Sequence, residues 1–210
     1  MTEEEAFHMK ILAQNTVLEN LNGKTYHALS PTRERDYFAE GYIILNHTYK
    51  IKYQHAEYEI VCLELRKDGE QILVIPEFLL PRRPYPIYVY LYAILIYSSH
   101  PTMSQRKAAE QTRKKFGLET FAHTTLGRAL KALVESISSL SPPKEPAPET
   151  KPKPTSFPSL LDTENRRARA AEYLSGWLNA KRIDEEPKAF LNSCRRLAQD
   201  WYAKYSRRLL

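Results

Sequence analysis

Hydrophobic and polar positions change period along this chain, and each period predicts a different element. Between Tyr37 and Pro81, apolar and polar residues alternate in stretches such as YKIKYQ and YEIVCLELR, the pattern of half-buried strands. Lys67-Asp68-Gly69-Glu70 interrupts the alternation, and its Asp-Gly centre predicts a tight turn between two strands. Residues 37–81 are therefore expected to form a small antiparallel β domain. Upstream, Thr2 and Glu5 have capping-box spacing, and Gly23 reads as a helix stop. Phe7, Ile11, Leu18 and Leu21 fall on one face, so a helix over Thr2–Leu21 is expected within an N-terminal segment, residues 1–30.

From 82 to 140 the pattern predicts helices. In RRPYPIYVYLYAILIYSSH, Ile87, Val89 and Leu91 alternate with Tyr88, Tyr90 and Tyr92, which is a strand signal. The run is long, however, and Ile87, Leu91, Ile94 and Leu95 also make a helical stripe. Pro86 suits a first helical turn, where its missing N–H costs nothing, and helix is the reading adopted. Two further helices are expected at Ser104–Phe116 and at about Ala122–Ser136. Ser104 caps the first, Ala108, Ala109, Thr112 and Phe116 form its buried stripe, and Gly117 ends it. Residues 141–158 hold 7 of the 14 prolines and cannot sustain a helix or sheet, so they read as an extended linker. Residues 159–210 then give two amphipathic helices in a hairpin. Leu174, Trp177 and Leu178 lie on the apolar face of one; Phe190, Leu191, Leu197, Trp201 and Tyr205 lie on that of the other. The fold class is α+β.

Charge changes the picture by being uneven. Residues 1–81 carry 8 Lys and Arg against 13 Asp and Glu, while residues 82–210 carry 23 against 12. A basic C-terminal portion implies a polyanionic partner. The two cysteines, Cys62 and Cys194, are too few for a disulfide framework or a four-cysteine zinc site and fit a reducing compartment. The start, MTEEEAFHMK, is acidic and unlike a secretory signal. The longest apolar run, Ile87–Tyr97, has 11 residues, where about 20 are needed to span a bilayer. A cytoplasmic protein with no membrane contact is expected.

The sharpest local signal is SQRKAAEQTRKKFGLETFAHTTLGRALKAL, residues 104–133. A basic helix, a glycine-containing turn and a second helix make a helix-turn-helix arrangement. Residues 103–134 hold 7 Lys and Arg against 2 Asp and Glu, as phosphate docking requires. A helix entering the major groove presents its N-terminal residues to base edges. That assigns base readout to His123, Thr124, Thr125 and Arg128, and phosphate docking to Arg106, Lys107, Arg113, Lys114 and Lys131. The turn, which includes Phe121-Ala122, is longer than the usual three or four residues.

These residues resemble a family. The order of a tyrosine-rich strand pair, IPEFLLPRRPYPI, SQRKAA and HTTLGRAL is similar to bacterial mobile-element, transposase-like proteins with a small zinc ribbon ahead of a helix-turn-helix. Gly69 and Pro76 hold that family's glycine-to-proline spacing. Ile75–Pro81 and Tyr85-Pro86 match the linking motif. Ser104, Gln105, Arg106 and Ala109 match the opening of the first reading helix, and His123, Thr124, Thr125, Leu126 and Arg128 match the recognition helix. The resemblance covers about residues 37–136. It departs at the metal: Leu65 and Asp68 stand where knuckle cysteines belong, and Ala129 replaces the tryptophan after the recognition arginine. A metal-free ribbon is expected, since Cys62 with His47 and His55 falls short of a four-ligand site.

No signature of nucleotide binding, serine hydrolysis or zinc proteolysis occurs, so neither an enzyme nor a cofactor is expected. Glu57, Glu59, Glu64 and Glu77 read as exposed positions of a half-solvated sheet rather than nuclease carboxylates. The resulting expectation is a sequence-specific accessory or regulator of a mobile element that binds double-stranded DNA, with residues 159–210 contacting a partner protein or a second DNA segment. The alternative is a protein-interaction adaptor whose helix-turn-helix is only structural. RNA binding is weaker, because the aromatics lie within apolar runs.

Overall fold

The computed structural model describes residues 9–14, 19–28, 31–76, 78–80, 83–139, 160–178, 187–205 and 209–210; for 9–14, 31–33, 160–163 and 187–188 only the backbone is described. The elements are β1 (Met9–Gln14), β2 (Glu19–Asn20), β3 (Thr25–His27), α1 (Pro31–Ala39), β4 (Ile43–Tyr53), β5 (Ala56–Lys67), β6 (Glu70–Pro76), α2 (Ile87–Ser99), α3 (Gln105–Lys115), α4 (His123–Ser138), α5 (Leu160–Ser175) and α6 (Pro187–Tyr205). They fall into two compact units. One comprises Met1–Ile87 with Ala198–Ser206, the other Tyr88–Leu197 with Arg207–Leu210.

The first unit is built on one sheet of order β1-β6-β5-β3-β2, with β4 on the remaining edge of β5. β4, β5 and β6 form the expected antiparallel meander. Both hairpins close through left-handed turn residues: Gln54 and His55 (φ 48° and 57°), then Asp68 and Gly69 (φ 49° and 78°). That backbone matches the twist of the flanking strands. Successive β5 residues bury opposite faces. Ile60 and Cys62 join Ile51, Leu73, Ile75 and Leu79 on one side, while Leu63 and Leu65 join Val74 on the other. The aromatic cover is Tyr26, Tyr49, Tyr58 and Phe78 on the first face and Tyr37 and Tyr42 on the second.

Two expectations are corrected here. The sheet is mixed, because β1 runs parallel to β6 and β3 runs parallel to β5. The N-terminal helix is not found among the described residues; Met9–Gln14 is a strand, as are Glu19–Asn20 and Thr25–His27. The physical reason is tertiary. β6 offers a row of backbone groups that β1 satisfies along six residues, from Met9 opposite Gln71 to Gln14 opposite Pro76. Leu21, expected on a buried helical stripe, is 60% exposed in the β2–β3 loop. Gly23, at φ 83°, serves that loop instead of stopping a helix. The capping residues Thr2 and Glu5 lie outside the described residues. α1, opened by Pro31 at a position where proline is tolerated, had no counterpart in the sequence reading.

The second unit is helical, as expected. α2 is apolar around its circumference and buried at every position from Val89 to Ser98, the signature of a core helix. Phe116 meets Tyr88 and Tyr92, and Phe121 meets Tyr90. α5 and the first part of α6, up to Leu197, belong to this unit, whereas Ala198–Tyr205 of α6 belong to the first. Arg167 of α5 lies 4.5 Å over the Tyr97 ring and donates to the His100 carbonyl. Arg169 donates to Ser138 Oγ at 2.8 Å, and Phe190 of α6 meets Tyr92 edge-on. Ala170, Leu174 and Leu178 are buried as the periodicity requires, but Trp177 is 40% exposed, because it follows the last helical residue of α5 and leaves the stripe. On α6, Phe190, Leu197 and Trp201 are buried; Leu191 and Tyr205 are half-buried. The proline-rich segment 141–158 lies outside the described residues. Among the described residues, no helix is long and apolar enough to cross a membrane.

Candidate nucleic-acid interface

The candidate site is α3, the turn after it, and α4. Ser104 sits in extended backbone (φ −81°, ψ 154°), and its Oγ accepts the Lys107 N–H, so the first turn of α3 is capped. Ala108, Ala109 and Thr112 are buried, and the Thr112 hydroxyl donates to the Ala108 carbonyl at 2.8 Å, which removes its polar cost. Gly117 adopts φ 54° and lets the chain leave the helix, with Leu118 N–H returning to the Arg113 carbonyl. Phe116, Leu118 and Phe121 are buried and pin the connection, which runs over residues 116–122 before α4 begins.

α4 starts from Ala122 in extended backbone with no side-chain cap. Leu126, Ala129, Leu130, Leu133 and Val134 are its buried face, which includes Leu126, Leu130 and Leu133 as the spacing predicts. With about 100° per residue, Thr124, Arg128 and Lys131 fall together on the opposite face, and all three are exposed. Thr125 is half-buried at the margin. His123 is exposed but lies about 140° around the helix from Arg128, so it does not share that face. The assigned readout group thus divides into a coherent pair, Thr124 and Arg128, and two flanking residues.

The assigned phosphate contacts on α3 also share a side. Arg106, Arg113 and Lys114 fall within about 100° of one another with Lys107 at the edge, and all are exposed. Two acidic residues that the sequence reading left out of the site sit among these cations. Glu110 lies between Arg106 and Lys114 and pairs with Lys114 at 2.7 Å; Glu135 pairs with Lys131 at 3.7 Å. The hydrogen bond and charge of Lys114 hold the Glu110 carboxyl below the usual carboxylate range. The i,i+4 spacing of both pairs was visible in the chain and was the available signal. Arg106, Lys107, Arg113 and Arg128 take part in no ion pair among the described residues. A further contributor is Gly127: a Cβ there would come 3.3 Å from Gln105 Oε1, so the bare backbone admits the Gln105 side chain against α4.

His47 and Cys62 are cross-strand neighbours, whereas His55 is in the hairpin turn, eight residues or about 26 Å of strand away. Among the described residues, no group of three His, Cys, Asp or Glu side chains could hold a metal ion. Leu65 is packed in the sheet and Asp68 is in the turn. Both cysteines are buried and neither is in a disulfide, and burial pushes the Cys194 thiol far up.

One carboxylate is corrected from exposed to buried. Glu64 projects from the middle of β5, and its Oε1 accepts from Arg66 Nε at 2.8 Å and Gln71 Nε2 at 2.7 Å. Its Oε2 lies 3.7 Å from His47 Nδ1. Burial raises this carboxyl, but the hydrogen bonds from Arg66 and Gln71, with the charges of Arg66 and His47, together outweigh it and leave it lowered. Glu57 and Glu59 are nearer the surface and pair with Lys50 at 3.4 and 3.6 Å. Glu77 lies outside the described residues. No family model, curated protein or solved structure matches this chain.

Proposed function

We propose that this chain is a sequence-specific DNA-binding accessory or regulator of a mobile element, reading duplex DNA with α4. The observation that carries the reading is the division of α4 into a buried apolar face and an exposed face bearing Thr124, Arg128 and Lys131, beside the exposed cations of α3. A guanidinium forms a paired hydrogen bond to guanine, and a threonine one turn earlier reaches a neighbouring base or phosphate. Lys107, Arg106 and Arg113 supply phosphate contacts that fix the register. The mobile-element assignment rests on the motif order over residues 37–136, with a sheet that uses tyrosine and aliphatic packing in place of a zinc knuckle. A partner protein for residues 159–210 has the exposed Trp177 as its anchor.

A second reading, a protein-interaction adaptor, draws on Glu110 and Glu135, which already neutralise Lys114 and Lys131. Selection from a random duplex pool, followed by a salt titration on the selected site, separates the two. The DNA reading expects a consensus and an affinity that falls steeply with salt; no consensus and a flat salt response would favour the adaptor.

A further inference from the structure

Among the described residues β4 is an edge strand, since β6 and β3 both pair with the other side of β5. A two-residue hairpin closes on a hydrogen-bonded pair, here Tyr53 with Ala56. The odd-numbered residues of β4 therefore bond to β5, and the even-numbered ones turn their N–H and C=O outward. Both ends of the outward row are held within the chain. Tyr42 N–H donates to the Tyr37 carbonyl at 3.1 Å, and Lys52 N–H donates to the Pro84 carbonyl at 2.8 Å. Between them Ile44, Asn46, Thr48 and Lys50 have no strand partner on that side among the described residues. This open row is symmetric about His47.

We propose that a second copy of this chain pairs along β4, antiparallel and centred on His47, so that one sheet runs through a two-fold axis. A two-fold contact requires the same patch on both copies, and a row closed at equal distances from one residue meets that requirement. Ile44 then pairs with the second copy's Lys50, and Asn46 with its Thr48, giving roughly eight backbone hydrogen bonds. At the closer, non-hydrogen-bonded positions, Ile43 faces Ile51 and Leu45 faces Tyr49. This covers Ile43 and Leu45, which are 64% and 38% exposed in the single chain. Charge selects the same arrangement. β4 carries Lys50 and Lys52 and no carboxylate, so parallel pairing would stack lysine on lysine. Antiparallel pairing puts the two Lys50 side chains about 20 Å apart. Centring on Thr48 would need the Lys52 N–H that Pro84 holds, and centring on Asn46 would need the Tyr42 N–H that Tyr37 holds.

The proposal does not depend on the DNA reading. It is tested by sedimentation equilibrium on the full chain over a wide concentration range, with melting curves to verify folding. The wild type is expected to dimerise. Asn46→Pro removes an outward N–H without touching the β4–β5 ladder and should raise the dimer dissociation constant at least about tenfold, while Asn46→Thr leaves it unchanged. Ile43→Lys, at a position exposed in the single chain, should weaken the dimer similarly and carries the test should Asn46→Pro fail to fold. A wild-type monomer at all concentrations, or a dimer indifferent to a folded Asn46→Pro or Ile43→Lys, would overturn the proposal.

Discussion

β5 and α4 each bury five or more side chains but leave different amounts of surface for anything else. β5 is covered on both faces and flanked on both edges, so even its carboxylate, Glu64, is held by its own neighbours. α4 is covered on one face and carries Thr124, Arg128 and Lys131 on the other. An element enclosed on all sides serves stability, whereas a one-sided element offers chemistry to a partner. Candidate contacts are therefore sought on α4, and stability determinants on β5.

The largest effect that would break this comparison is at Leu63, fully buried between β4 and β6. Leu63→Ala should cost about 2–5 kcal/mol in denaturant unfolding and leave DNA affinity of the folded fraction unchanged. Arg128→Ala should do the reverse, costing about 1–3 kcal/mol of binding to the selected duplex and relaxing preference at one base pair, with the melting temperature unmoved. Arg128→Ala that altered neither affinity nor preference would move the function off α4. Glu64 sharpens the comparison through pH. Its folded-state carboxyl is lowered, so the stability it contributes is present above the ordinary carboxylate value and is lost as pH falls through the folded one. Acid titration of unfolding free energy should show a steeper loss for wild type than for Glu64→Gln. The smallest effects belong to α3: Lys107→Ala should weaken all duplexes alike and flatten the salt slope by about one unit, while Glu110→Gln should strengthen them modestly by releasing Lys114.

The helical unit was legible because its signals are local. Ser104 caps, Gly117 reverses the chain, and Ala108, Ala109, Thr112 and Phe116 repeat at helical spacing within one element. The β4–β5–β6 meander was legible for the same reason, through Asp68-Gly69 and the alternation on either side. β1 was not. Its few apolar residues fit a helix or a strand equally, and what decides between them is the edge of β6, far along the chain. Within the candidate site, the sequence spacing already puts Thr124 and Arg128 on one face because they are four apart, whereas His123, their near neighbour in sequence, falls on another side of the helix. Glu64 is buried where alternation predicts exposure because its partners Arg66, Gln71 and His47 come from three strands, and only the pairing of those strands brings them together.

The parallel pairing of β1 with β6 also sets an order of events during synthesis. Met9 leaves the ribosome about 60 residues before Gln71, its partner. At about 5–20 residues per second, the N-terminal segment waits roughly 3–12 s for the strand it will join. The β4–β5 and β5–β6 hairpins can each close in microseconds once their strands have emerged, whereas β1 has no β6 to pair with until Gln71–Pro76 is made. A chain arrested in translation before Gln71 therefore carries an unpaired β1, open to capture by chaperones and by the β1 of neighbouring nascent chains.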